Sequence, residues 1–229
     1  MSAADPPTGP ADAAGAAGSR TVVHLLRHGE VDNPAKVLYG RLPGYHLSAL
    51  GREMAGVVAR HLTDRDVRLV VASSLDRAQE TARPIAAEHS VGVTTDDRVI
   101  EAGNRFEGLT FGVGDGSLTH PGHWAKMTNP FRPSWGEPYD RIAARMAAAV
   151  AGARAAATGH EAVLVSHQLP IWTLRRFLEG RRLWHDPRRR QCSLASLTTL
   201  TYLGEHLQSI TYSEPAAALL PAASNVAGA

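Results

Sequence analysis

"VVHLLRHGEVDN", residues 22–33, sets an apolar run directly against Arg27-His28-Gly29. Val22 to Leu26 has the β-branched, apolar composition of a buried strand. A guanidinium and an imidazole then leave that strand with no polar transition. Similar runs recur along the chain. "VRLVVAS" (67–73) is a second strand, "VGVTT" (91–95) a short third, and "EAVLVSH" (161–167) a fourth. The fourth is almost wholly apolar in its centre, as expected of a strand buried on both faces.

Between these runs the spacing turns helical. Ser48 opens a helix with Leu50, Met54, Val57 and Val58 on one face. Ser74 is placed to cap a second, with Ala78, Ala82, Ile85 and Ala86 inward. Pro84 is expected to kink or restart it. Tyr139 to Ala156 carries a stripe of Ile142, Met146, Ala149, Val150 and Ala153, and Pro170 opens a further helix to Leu178. "ASLTTLTYL" and "HLQSITYS" around Gly204-Glu205 read as a terminal hairpin. Alternating strands and helices predict an α/β protein, a three-layer α/β/α sandwich with a mostly parallel central sheet. Residues 1–20 are expected as a disordered tail, 21–213 as one domain and 214–229 as a flexible tail, with Leu219 and Leu220 docking weakly. Residues 103–135 fit neither period, and a stretch of that length is expected to cover a site.

The 229 residues suffice for a full core, with 44% hydrophobic and 20% charged residues. A net charge of +2 gives no global field for nucleic acid. Lys36 and Lys126 are the only lysines, so the positive charge is almost all arginine. Cys192 is the sole cysteine, which excludes an intrachain disulfide and fits a reducing cytoplasm. No apolar run is long enough to span a bilayer, and the N-terminus is a poor signal peptide. A homo-oligomer stays open.

Ligands of open α/β sheets bind at the carboxyl ends of the strands. There the first strand delivers Arg27 and His28, the second precedes Arg77, and the fourth ends in His167. Two forked cations and two imidazoles suit a phosphoryl group. An imidazole kept neutral by adjacent arginines is also a nucleophile. The set points to phosphoryl transfer through a phosphohistidine, which needs an acid for the leaving oxygen.

"LLRHGEVDN", "GRLPGYHLSALGREMA", "ASSLDRAQETARPIA", "VIEAGNRFEG" and "VLVSHQLP", in that order, resemble the histidine phosphatase superfamily, the phosphoglycerate-mutase-like group. The resemblance implies His28 as nucleophile, Glu101 as proton donor, and Arg27, Arg77 and His167 as a phosphate clamp. It places Asn33 at a position that touches the phosphate or its loop. Glu107 is a rival for the acid, because the loop is one residue shorter than in many relatives. Gln168 stands where relatives commonly carry glycine, and either reaches the pocket or caps a helix. The arginines are expected to depress the Glu101 pKa until a dianion binds.

Other candidates are weaker. The pair His120 and His123 lacks an acid or thiol cluster, so no metal and no cofactor are expected. Tyr39, Arg41 and Tyr45 either line a substrate entrance or pack on the sheet edge. Trp124, Phe131, Arg132 and Trp135 are candidates for a pocket roof. "GRRLWHDPRRR" (180–190) reads as a solvated loop or one that steers anions. His24 and Cys192 read as packing residues. Hydrolysis of a small phosphorylated metabolite is the expected activity. Bisphosphoglycerate-dependent mutase activity is the alternative, and a non-catalytic phosphate- or phosphoprotein-binding relative the third. The mutase reading suffers because "AGNRFEGLTFGVGDG" lacks a Tyr-Gly element and a following lysine.

Overall fold

A computed structural model describes residues 18–110 and 135–223. Six strands form one sheet: β1 (Arg20–Arg27), β2 (Val67–Ala72), β3 (Val93–Thr95), β4 (Glu161–Ser166), β5 (Leu197–Leu203) and β6 (His206–Ser213). Their order across the sheet is β3-β2-β4-β1-β5-β6. β4 lies parallel to both β1 and β2, β3 lies parallel to β2, and β5 and β6 add antiparallel pairs. The helices are α1 (Ala49–His61), α2 (Asp76–Glu88), α3 (Tyr139–Ala156) and α4 (Gln168–Leu178).

Strand alternation distributes the apolar side chains into two cores. Val163 and Val165 of β4 join Met54 and Val58 of α1 and Ala78, Ala82 and Ile85 of α2. Ala162 and Leu164 join Ile142, Met146 and Val150 of α3 and Ile171 and Leu174 of α4. All six residues of β4 are buried, as its apolar run predicts. The helices therefore cover opposite faces in pairs, and the α/β/α sandwich with a mostly parallel sheet is the observed architecture. Among the described residues no helix is long and apolar enough to cross a membrane.

Local expectations fail at four points. Ser74 does not cap α2: the helix starts after Leu75, and Ser74 stays exposed with its amide donating to Asp97 Oδ1. Asp76 instead places a negative charge in the first turn, where the helix dipole favours it. Pro84 sits inside an unbroken α2. Pro170 is the third residue of α4 rather than its opener, in a turn whose amides lack intrahelical partners anyway. Residues 214–223, expected to begin a flexible tail, fold back. Ala216 is buried and Ala217–Ala222 form a 3-10 helix, whereas the expected docking of Leu219 and Leu220 is observed, both packing against the core beneath α1 and α2. Those two leucines keep apolar surface on that core from water.

Candidate active site

The backbone beyond β1 is wedged against α1. A Cβ on Gly29 would lie 2.5 Å from the Gly51 carbonyl oxygen, and one on Gly51 would lie 2.0 Å from that of Glu30. Only glycine permits this approach. Ser48 caps α1 by accepting from the Gly51 amide at 2.9 Å, and its own amide donates to the Glu30 carbonyl at 3.0 Å. On the other side, the Gly29 amide donates to Thr81 Oγ1 of α2 at 3.2 Å. The His28 amide donates to the Ser166 carbonyl at 3.2 Å. His28 thus sits in backbone clamped by α1, α2 and β4.

Its imidazole is fully buried, with Nδ1 2.7 Å from the Gly29 carbonyl oxygen. A carbonyl only accepts, so Nδ1 carries the proton and Nε2 keeps its lone pair. The His167 ring lies 5.1 Å from the His28 ring, centroid to centroid, and its Nε2 is 2.8 Å from Ser73 Oγ. Arg27 Nη1 donates to the Cys192 carbonyl at 2.8 Å, and Arg77 Nη2 to the Gly40 carbonyl at 2.6 Å. The Arg77 guanidinium also lies over the Tyr39 ring, 4.7 Å from its centroid. Glu101 is 2% exposed, and its Oε1 accepts from the Ala102 amide at 2.7 Å.

Arg27 Nε, His28 Nε2, Arg77 Nε, Glu101 Oε2 and His167 Nδ1 are all buried without a hydrogen-bond partner among the described residues. Buried polar atoms are rarely left so, and five on the predicted residues make this a candidate binding site. The charges of Arg27 and Arg77 act on His28, His167 and Glu101 alike. Burial first, then Arg77 and other neighbouring charges including Arg27, hold both imidazoles well below the usual histidine range. Burial also raises the Glu101 carboxyl, outweighing the Ala102 amide and the arginines that lower it. The expected depression of Glu101 is therefore reversed: desolvation in this pocket exceeds the pull of the cations.

Glu107 serves the loops. Its Oε1 accepts from the amides of Arg41 and Asn104, both at 3.1 Å. Asn33 meets the backbone of Val37 with both ends of its amide, at 2.9 and 3.2 Å, closing the turn after the motif. Arg41 donates to the Glu101 carbonyl at 2.6 Å and to Glu137 at 2.9 Å, so it braces the Glu101 backbone. Tyr39 is buried against Arg77 and stacks on Tyr45, ring centroids 5.0 Å apart, so Tyr39 packs under the guanidinium and Tyr45 packs on Tyr39. Gln168 is half-buried at the start of α4 and reaches the Cys192 carbonyl at 3.4 Å. Burial pushes the Cys192 thiol up to about 11, in keeping with a packing role. His24 joins Thr199 and Glu161 in a buried polar cluster. His120, His123, Trp124, Phe131 and Arg132 lie outside the described residues.

One residue at the site escaped sequence reasoning. Arg190 closes the basic run 180–190, yet it is half-buried and its charge acts on both Glu101 and Arg27. Its neighbours Arg188 and Arg189 are exposed, so the run conceals one inward arginine. The sequence signal available was its place two residues before Cys192, just ahead of a strand that pairs with β1.

The model of the histidine phosphatase superfamily (branch 1) matches residues 23–214. The uncharacterized protein Rv0525 of Mycobacterium tuberculosis is 59% identical over 197 residues, spanning 86% of this chain and 98% of its own. Among solved structures, the chain is similar to mycobacterial glucosyl-3-phosphoglycerate phosphatase Rv2419c. That match has a TM-score of 0.67 and 28% identity over 85% of this chain and 96% of that one. A phosphoglycerate mutase from Bacillus anthracis shares the fold, with a TM-score of 0.65 and 17% identity over 87% and 95% of the two chains.

Proposed function

Because the chain belongs to the histidine phosphatase superfamily, we propose that it hydrolyses a small phosphorylated metabolite through a phosphohistidine on His28. The observation that carries this reading is the convergence of Arg27 Nε, His28 Nε2, Arg77 Nε, Glu101 Oε2 and His167 Nδ1, buried and unpartnered among the described residues. Three of those atoms bear or readily present protons to an anion. His28 Nε2 has a free lone pair, and Glu101 is held in a state suited to giving a proton.

The phosphate dianion docks on Arg27, Arg77 and His167. With the Ser73 hydroxyl as donor across its 2.8 Å contact with His167 Nε2, His167 Nδ1 carries the proton and donates to a phosphate oxygen. His28 Nε2 attacks phosphorus in line; the N–P bond forms as the bond to the leaving oxygen breaks. Glu101 gives its proton to that oxygen, and the Gly29 carbonyl stabilises the charge that develops on the imidazole through Nδ1–H. Water then attacks phosphorus, its proton passes to the Glu101 carboxylate, and the N–P bond breaks to release inorganic phosphate and neutral His28. The arginines neutralise the equatorial oxygens throughout. Glu107 is set aside as the acid, since its Oε1 already accepts from two backbone amides.

Hydrolysis is preferred to the mutase reaction. The segment after Glu101 lacks the Tyr-Gly element and lysine that a three-carbon bisphosphate would require. The similar mycobacterial phosphatase is named for glucosyl-3-phosphoglycerate, so phosphorylated metabolites of that size belong in the first screen. The test measures phosphate release across such a set beside a bisphosphoglycerate-dependent mutase assay. Turnover by hydrolysis is expected, and His28→Ala removes both turnover and phosphoenzyme labelling. A mutase rate far above hydrolysis, or an active His28→Ala, overturns the reading.

A further inference from the structure

We propose that Glu137 is a positioning residue for the proton transfer: by holding the Arg41 and Arg145 guanidiniums, it fixes the backbone that aims Glu101 at the leaving oxygen. This rests on the phosphatase reading above, with Glu101 as the acid. The Glu101 carboxyl has little of its own to hold it. Oε1 accepts from the amide of the adjacent Ala102 at 2.7 Å, and Oε2 is buried and unpartnered among the described residues. Its aim is therefore inherited from the main chain.

That main chain has no regular structure to stiffen it. The 3-10 turn Asp97–Val99 ends just before it, and residues 100–103 belong to neither helix nor strand. A segment outside helix and sheet must find its hydrogen bonds elsewhere. Here side chains supply them. The Val99 carbonyl accepts from Ser166 Oγ, at the end of β4, at 2.6 Å. The Arg98 carbonyl accepts from Arg145 Nη1 of α3 at 2.8 Å, and the Glu101 carbonyl from Arg41 Nε at 2.6 Å. An arginine side chain is long and rich in rotamers, so it defines a position only when its own guanidinium is fixed.

Glu137 fixes both. Arg145 meets it as a fork, Nε to Oε1 at 2.9 Å and Nη2 to Oε2 at 3.0 Å, and Arg41 Nη2 adds a third bond to Oε2 at 2.9 Å. Only 18% of the Glu137 side chain is exposed, so these charge-assisted bonds are screened less than surface pairs. Its backbone joins in, since the Glu137 amide donates to the Gly103 carbonyl at 3.1 Å. The hub is itself anchored, because Glu137 stands one residue before Pro138, the N-cap of α3, where the helix dipole favours its negative charge. The carbonyls of residues 98, 101 and 103 thus all trace to one carboxylate-bearing residue, and Glu101 lies inside that span.

The test compares kcat/KM for the aliphatic ester turned over best in the metabolite screen with that for p-nitrophenyl phosphate, whose leaving group departs without a proton. Glu137→Gln keeps an oxygen for one guanidinium and removes the charge that holds two. It lowers the ratio of aliphatic to p-nitrophenyl turnover roughly 10- to 100-fold, the cost of misplacing a reacting group by about 1 Å. In a Glu101→Gln background the same substitution costs that ratio nothing further, since Glu137 acts only through the acid. Glu137→Asp, which keeps the charge but draws it back by one methylene, loses less and carries the test should Glu137→Gln not fold. Equal losses on both esters, as a loosened fold would give, overturn the proposal. So do an unchanged ratio in the folded variants and a full additional loss in the double variant. Failure of the underlying reading looks different: the wild type then hydrolyses neither ester, or Glu101→Gln alone leaves the ratio unmoved.

Discussion

Replacing Gly29 by alanine adds one methyl group next to His28, the proposed nucleophile, and leaves every chemical group of the candidate site in place. The added Cβ would lie 2.5 Å from the Gly51 carbonyl oxygen, about 0.9 Å short of an ordinary 3.4 Å contact. Gly51 cannot retreat. Its amide is tied to Ser48 Oγ, and its own Cα side faces the Glu30 carbonyl at a distance no Cβ would allow. The displacement therefore falls on residues 28–30. A shift of that size at a reacting atom costs about 100-fold in rate. Overpacking of this kind destabilises by about 1–3 kcal/mol. The assays are kcat with p-nitrophenyl phosphate and the urea midpoint. Gly56→Ala is the control, since its Cβ would meet only Arg60 Nη1 at 3.5 Å. It is expected to retain activity and gain about 0.5–1 kcal/mol from helix propensity. A Gly29→Ala enzyme with kcat within about threefold of wild type and an unmoved midpoint would refute the claim that this contact aims His28.

Glu101→Gln should slow aliphatic esters by about 100- to 10,000-fold, the usual worth of a positioned acid, and p-nitrophenyl phosphate far less; equal losses on both esters would count against a proton-donor role. The same substitution should stabilise the fold. The raised folded pKa of Glu101 means that the unfolded chain ionises first, so stability falls as pH climbs past the ordinary 4.5 toward the folded value. The gain in Tm for Glu101→Gln should accordingly grow across that window and then level off. For catalysis, His28 stays neutral below the ordinary 6.5 and Glu101 stays protonated above the ordinary 4.5, so the acid limb of kcat/KM should lie below 6.5 and its basic limb above 4.5; an acid limb at or above 6.5 would contradict the assignment of His28. Ser73→Ala strips His167 Nε2 of its 2.8 Å partner, which should cost about 1–3 kcal/mol of stability and weaken phosphate binding, read from product inhibition by inorganic phosphate.

Much of the site is legible along the chain because strand ends are rigid and face one edge. Arg27, His28 and His167 follow apolar runs directly, and Arg77 falls in the first turn after such a run. The choice between Glu101 and Glu107 is not legible, since it depends on which carboxylate the Arg41 and Asn104 amides occupy. Arg190 was hidden by its neighbours: composition averages a run of arginines, whereas the fold turns one of them inward. The strand order is equally absent from local pattern, because periodicity tells which side of a strand is buried and nothing about which strand lies beside it. Ser74 and Pro170 misled for a simpler reason, as tertiary packing moved each helix start by one or two residues.

The insertion of β4 between β1 and β2 bears on how the protein comes to exist. A ribosome that has delivered residues 20–110 has made β1, β2 and β3, along with Arg27, His28, Arg77 and Glu101. Yet β1 and β2 have no direct pairing to make, and the strand that joins them arrives only at Glu161. Closing that gap pairs Glu161 with Val22 and Val67, which are 139 and 94 positions away along the chain, the kind of long-range step that slows folding and leaves edges open meanwhile. Enzymatic activity in this protein is consequently a late event of biosynthesis. Its recovery after denaturation reports completion of the whole sheet rather than formation of any part of it.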